Sequence, residues 1–162
     1  MNKIDKTPKV IIGDSVVYTL RSDGRYRDDA GVPLLRKVAW MLVVGRKVLF
    51  ALSRDDGIYY NVGGKIEPGE TPVEALVREV YEETTVRLQP RSVSPVYEFF
   101  GPSHTGGMMQ MIVFDAAIPP GQKPIPWGEV KKLAWFTSAD FPHTTEMGKT
   151  ILTWFKGQDL ID

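Results

Sequence analysis

Three glutamates, Glu79, Glu82 and Glu83, stand three and four residues apart in a stretch rich in helix-forming residues. A helix turns about 100° per residue, so this spacing gathers the three carboxylates into one arc of its surface. Like charges at these intervals repel, and a third acid beside them adds to the cost unless a cation sits among them. The face is therefore either a solvated acidic surface or a divalent-metal site. Carboxylate oxygens without His or Cys beside them are hard donors, which suit Mg²⁺ or Mn²⁺ better than zinc or copper. Magnesium held by few carboxylates keeps waters and takes substrate phosphates into its shell, so the metal reading points to phosphate chemistry.

The element that must position these acids is a helix. From Pro72 to about Thr84 the apolar residues Val73, Leu76, Val77 and Val80 recur at helical spacing, on a different arc from the acids. Such a helix buries one stripe against a sheet and presents its carboxylates together. Its start is marked by Thr71 as N-cap, Pro72 at the first helical position and Glu74 closing a capping box. The loop feeding it reads Gly63-Gly64-Lys65-Ile66-Glu67-Pro68-Gly69-Glu70-Thr71. Gly64, Gly69 and Thr71 fall at phosphate-loop intervals, but that motif needs Lys where Glu70 stands, and an acid there would repel a phosphate. By themselves the glycines mark a turn as readily as a ligand loop.

Taken together, GGKIEPGETPVEALVREVYEETTV resembles the signature box of the Nudix hydrolases, the MutT-like family. That box is Gly, five residues, Glu, seven residues, Arg-Glu, an aliphatic residue, any residue, Glu-Glu, any residue, Gly and an aliphatic residue. Gly64, Glu70, Arg78, Glu79, Val80, Glu82, Glu83 and Val86 fall at the required spacing, which sets the box at residues 64–86. The resemblance implies an α/β (α+β) fold, an α/β/α sandwich with a mixed β-sheet between helices. It also implies Mg²⁺- or Mn²⁺-dependent hydrolysis of the pyrophosphate bond in a nucleoside diphosphate derivative. In that reading Glu79, Glu82 and Glu83 match the metal-binding and base-bearing acids, Glu79 being the expected base, and the carbonyl of Gly63 is a further metal ligand. Arg78 orients the acids, and Glu70 fastens the loop to the helix. Glu129, just ahead of VKKLAWF, either joins the metal site or is a solvated loop acid. Arg54, ending VLFALSR, either contacts phosphate or is a surface Arg, and Lys65 could serve similarly. Among Trp40, Trp127, Trp135 and Trp154, Trp127 is the best placed to stack on a nucleobase, the alternative for each being core or rim packing. Three positions depart from the family pattern. Thr85 replaces a Gly, and a β-branched residue in a left-handed cap costs about 1–2 kcal/mol, so the helix is expected to end differently. Val62 replaces a proline, and Asn61 a usually apolar residue.

The rest of the chain fits a globular carrier for this box. Its 162 residues, 43% apolar and 25% charged, predict one domain over residues 1–162 with a packed core. Lys plus Arg and Asp plus Glu are both 20, leaving no basic field for a nucleic-acid polymer or an anionic membrane; the expected partner is a small nucleotide. The absence of cysteine excludes a disulfide framework, a zinc ribbon and a thiolate nucleophile, and is compatible with the cytoplasm. The opening MNKIDKTPKV has no secretory apolar run, and Val38–Val44 falls far short of the ~20 residues of a membrane span. Residues 1–35 read as a peripheral strand or hairpin, with strands at 10–12 and 15–20 and a turn at Asp23-Gly24. Further strands are expected at 37–44 and 47–52, joined at Gly45-Arg46, then near 59–62, at 93–100, at 108–118 and at 133–136. Met147, Ile151, Leu152 and Phe155 predict a second helix within 144–155. His104 and His143 read as solvated loop histidines. The leading function is a housecleaning pyrophosphohydrolase acting on a nucleoside triphosphate or other nucleoside diphosphate derivative. ADP-ribose or nucleotide-sugar cleavage is the rival, favoured by dimerisation through the first 30 residues; monomer and homodimer both stay open. A non-catalytic nucleotide-binding module should have lost acids of the box.

Overall fold

The computed structural model describes residues 6–103 and 106–162; the first five residues and the pair that includes His104 lie outside them. The chain opens with an antiparallel meander of β1 (Lys9–Ile12), β2 (Val16–Leu20) and β3 (Tyr26–Arg27), so the expected hairpin carries a third strand. β4 (Leu35–Met41) then runs through the middle of the molecule. It pairs parallel with β10 (Met108–Asp115) and antiparallel with β8 (Gly63–Lys65), and β9 (Ser94–Pro102) lies beyond β10. A second sheet is antiparallel: β11 (Lys132–Phe136), β6 (Lys47–Leu52) and β5 (Val43–Val44), with β7 (Tyr60–Asn61) also on β6.

The expected strand 37–44 is therefore two strands in two sheets. It breaks at Leu42, whose carbonyl accepts from the Leu49 N–H at 3.1 Å. The return to β6 is tight because Gly45 and Arg46 both take positive φ, 56° and 61°, the backbone a two-residue hairpin needs.

Alternation along β4 makes the sheet two-sided. Val38 and Trp40 pack with Ile112 and Phe114 beneath α1 (Pro72–Thr84), joining Leu76 and Val80. Ala39 faces the other way, with Phe50, Met111 and Val113, toward Ile151, Leu152 and Phe155 of α2 (Glu146–Gly157). Sheets between two helices give the α/β/α arrangement. Among the described residues no helix is long and apolar enough to cross a membrane.

The start of α1 follows its sequence signals: Thr71 Oγ1 accepts from Glu74 N–H at 3.2 Å, and Glu74 Oε2 from Thr71 N–H at 2.8 Å. Its end does not. Thr85 sits in the left-handed region, φ 65° and ψ −2°, with its N–H on Tyr81 O, so the expectation of a different ending is corrected. The cause is tertiary. Ile125 and Trp127 donate their N–H groups to the carbonyls of Thr84 (3.1 Å) and Glu83 (3.0 Å), and Val86 is buried directly after the turn. Capping carbonyls and burying Val86 outweigh the strain at Thr85. Thr85→Gly should stabilise the protein by about 1 kcal/mol, the relieved left-handed cost less the added chain entropy, as read by chemical denaturation.

Candidate active site

Two glycines let the acid-bearing helix approach the sheet. Gly63 has φ 140°, and a Cβ there would stand 2.1 Å from the Val38 carbonyl oxygen; a Cβ on Gly64 would stand 2.3 Å from the Glu79 carboxyl carbon. Gly63 has no room for a side chain against that backbone, whereas a side chain at Gly64 would have to push the Glu79 carboxylate aside. The glycines thus serve close approach, by which β8 lies against β4 while Glu79 rests on β8. The Gly63 N–H also donates to Glu83 Oε2 at 2.9 Å.

Arg78 ties the loop to the helix. Its Nε and Nη2 donate to the two oxygens of Glu70 at 2.7 and 3.0 Å, and Nη2 also reaches the Lys65 carbonyl at 3.0 Å. Nη1 donates to Glu79 Oε1 at 2.8 Å and to Glu82 Oε2 at 3.3 Å. Such a bidentate fork fixes direction as well as distance. Hydrogen bonds from Arg78 hold the Glu70 carboxyl below its ordinary range, and Glu70 in turn raises the guanidinium pKa.

The loop after β10 completes a cavity of about 350 Å³ lined by Glu79, Tyr81, Glu82, Glu83, Trp127 and Glu129. Trp127 and Glu129 arrive there because their loop docks on the carbonyls at the end of α1. Gly128, at φ 58°, crosses so close that a Cβ would meet Glu82 O at 2.8 Å. Burial pushes the Glu83 carboxyl up to about 8, with Glu79 and Glu129 adding to the rise and the Gly63 N–H and Lys37 opposing it. Burial also raises Glu79, against the pull of Arg78.

Among the described residues no three acid, His or Cys side chains are already drawn close enough to hold a metal ion. Their present partners account for that: Glu79 and Glu82 turn to Arg78, and Glu83 to a backbone N–H. The donor set nevertheless fits a hard divalent cation. Four carboxylates line one cavity, and Glu83 forms no ion pair among the described residues.

Lys65 is exposed on β8 and borders a different, larger cleft. Arg54 is exposed in the loop after β6 and lines neither cavity. Lys37 was not marked by any motif. It lies opposite Lys65 in the β4–β8 register, and its ammonium, lowered by burial and by Lys65, is pulled back up by Glu79 and Glu83. Only the strand register could have located it.

A mixed sheet between helices, with a glycine loop leading into an acid-bearing helix, defines the Nudix class of pyrophosphate-cleaving enzymes. Residues 25–155 match the NUDIX domain, and the chain belongs to that family. It is a Nudix hydrolase, an enzyme of pyrophosphate-bond hydrolysis in nucleotide derivatives. The fold is similar to a nudix hydrolase family member from Chromobacterium violaceum, at 24% identity and TM-score 0.63 over 76% of this chain and 77% of that one. It is also similar to the MutT protein from Methanosarcina mazei Go1, at 17% identity and TM-score 0.62 over 78% and 95%. A third likeness, 20% identity and TM-score 0.59, is to a bifunctional NMN adenylyltransferase/ADP ribose pyrophosphatase from Francisella tularensis, complexed with AMP and a Mn ion. It spans 78% of this chain and 42% of that one.

The raised Glu83 pKa sets a pH dependence. The folded protein keeps this proton up to about pH 8 whereas the unfolded chain loses it near the ordinary value of 4.5, so metal-free stability falls as pH rises across that window. Glu83→Gln in EDTA should remove this slope and gain stability relative to the parent above about pH 8. Denaturation midpoints of both proteins from pH 5 to 9 check it; parallel curves would refute it.

Proposed function

We propose that this Nudix hydrolase is a divalent-metal-dependent pyrophosphohydrolase acting on a nucleoside triphosphate or another nucleoside diphosphate derivative. The observation that carries the reading is the single cavity shared by Glu79, Glu82, Glu83 and Glu129. These four carboxylates, with the Gly63 carbonyl, are the groups that would hold Mg²⁺ or Mn²⁺. Bound there, the metal would acidify a water and neutralise charge on the phosphates.

The chain's own residues divide the remaining work. Glu79, made more basic by burial, takes a proton from the attacking water at its carboxylate. Arg78 is a positioning residue: its fork on Glu70 sets where Glu79 and Glu82 stand. Lys37, whose ammonium feels Glu79 and Glu83, supplies positive charge for phosphate oxygens beside the acids, while Lys65, opposite it in the register, stands on the cleft side of the loop. Trp127, 57% exposed at the rim, offers a flat apolar face for a nucleobase. Arg54, exposed in the loop after β6, is the further cation of this reading that would meet phosphate oxygens. The meander of residues 9–27 and the residues matched to the NUDIX domain are read as one catalytic unit.

ADP-ribose or nucleotide-sugar cleavage is the second reading, favoured by the likeness to the Francisella tularensis enzyme and by the cleft beside the box. A nucleotide screen with Mg²⁺, separating phosphate from pyrophosphate release and identifying the organic product, distinguishes the two.

Glu82→Gln and Glu83→Gln should each lower kcat by at least about a hundredfold while the fold is kept, since losing a metal ligand exceeds the ~10–100-fold cost typical of its outer partners. Near-parental turnover in both variants would overturn the metal assignment. Mg²⁺ at about a hundred times its Kd should add about 2.7 kcal/mol of stability to the parent and less to either variant, as read by thermal melts.

A further inference from the structure

A second cavity lies on the other side of the loop from the acids. A cleft of about 740 Å³ opens between the N-terminal meander and residues 65–72, with Leu20, Val32 and Pro68 among its apolar walls. Its charged lining is Arg25, Arg36 and Lys65 against Glu67 and Glu70. Glu70 is already engaged by Arg78, so cations are in excess.

Arg36 is the built feature of this cleft. Its Nε donates to Gln110 Oε1 at 2.7 Å, and Gln110, only 3% exposed, donates in turn to Glu98 Oε2 at 3.0 Å. Its guanidinium lies over the Tyr26 ring, 4.6 Å from the centroid. One edge and one face of the fork are thus fixed. The two terminal amino groups make no hydrogen bond among the described residues, and Arg36 lines the cleft. A half-buried guanidinium held this way, with its outer donors free, matches the geometry of a phosphate or carboxylate. Arg25 and Lys65 across the same cleft favour the more highly charged of the two. The volume suits a ligand of nucleotide size, with the apolar walls taking its organic body.

We propose that this cleft is a second binding site, which takes a phosphate monoester carried on an organic group of nucleotide size, with Arg36 as its recognition residue. The monoester is either the far end of the enzyme's own substrate or a separate small molecule. Only the first source rests on the hydrolase reading. The second would act through the wall the two cavities share, in which Glu70 faces the cleft while Arg78 links it to Glu79 and Glu82.

The test uses the full chain in EDTA, where the acid cavity has no metal, and titrates AMP, with adenosine as control, by calorimetry. AMP should bind saturably, adenosine far more weakly. Arg36→Gln should weaken AMP by at least about tenfold, Arg36→Lys by less, and the surface variant Arg25→Gln by severalfold with an unchanged melting curve. Glu82→Gln should leave this binding unaltered, which separates the site from the catalytic reading. With Mg²⁺ and a hydrolysed nucleotide, a raised KM at constant kcat in Arg36→Gln assigns the cleft to the substrate. Unchanged KM, with loss of any AMP effect on rate, assigns it to a separate ligand. No saturable AMP binding up to about 10 mM, or equal affinity in the parent and both the Arg36→Gln and Arg25→Gln variants, would overturn the proposal.

Discussion

The guanidinium of Arg78 is the constraint on which the site depends. It is the only cation among the described residues that touches Glu70, Glu79 and Glu82, and it also grips the Lys65 carbonyl. Three carboxylates near one another would separate by repulsion. A fork with its direction set by Glu70 holds two of them in a common orientation instead. Arg78 is itself placed by the helix: it follows the buried stripe of Leu76 and Val80 without joining it, so the packing of α1 aims the fork at the loop. Lysine could carry the same charge but would offer no second donor edge to Glu70.

What surrounds that interaction is a set of close approaches that only particular backbones allow. Gly63 and Gly64 bring β8 under the helix, and Gly128 brings the 125–130 loop across its end. The loop's N–H groups then satisfy the last carbonyls of α1, and the strained Thr85 follows from that docking. Strain and glycine flexibility are both destabilising in isolation, by roughly 1 kcal/mol each. They persist because each lets a carboxylate, a tryptophan or a capping group reach the same cavity.

The sequence made the local parts readable. α1 was visible because its periodicity, its capping box and its proline all lie within one stretch, and the acids share a face by spacing alone. Most strands were visible as apolar or β-branched runs. What escaped depends on contacts between distant segments. The break at Leu42 comes from pairing with β6, the Thr85 cap from the 125–127 loop, and the place of Lys37 from its register against β8. The cleft at Arg36 was the least readable feature, since the meander, β4 and the Nudix loop meet only in the folded chain.

The distribution of charge explains how a chain with equal numbers of acids and bases can handle polyanions. Its neutrality is global, not local. One side of residues 63–72 faces Glu79, Glu82, Glu83 and Glu129; burial, with a smaller part from neighbouring acids, raises the pKa values of Glu79 and Glu83. The other side carries Lys65, Arg25 and Arg36. The loop between them is held by an ion pair, Glu70 with Arg78, that belongs to both sides. With zero net charge the chain has little long-range field to steer a ligand, and exposed charges are screened beyond a Debye length of about 8–10 Å. Recognition must then be short-ranged, made by forks, backbone donors and metal-ready carboxylates that act only once the phosphate groups have entered. That requirement matches the proposed enzyme, whose ligands are small and multiply charged.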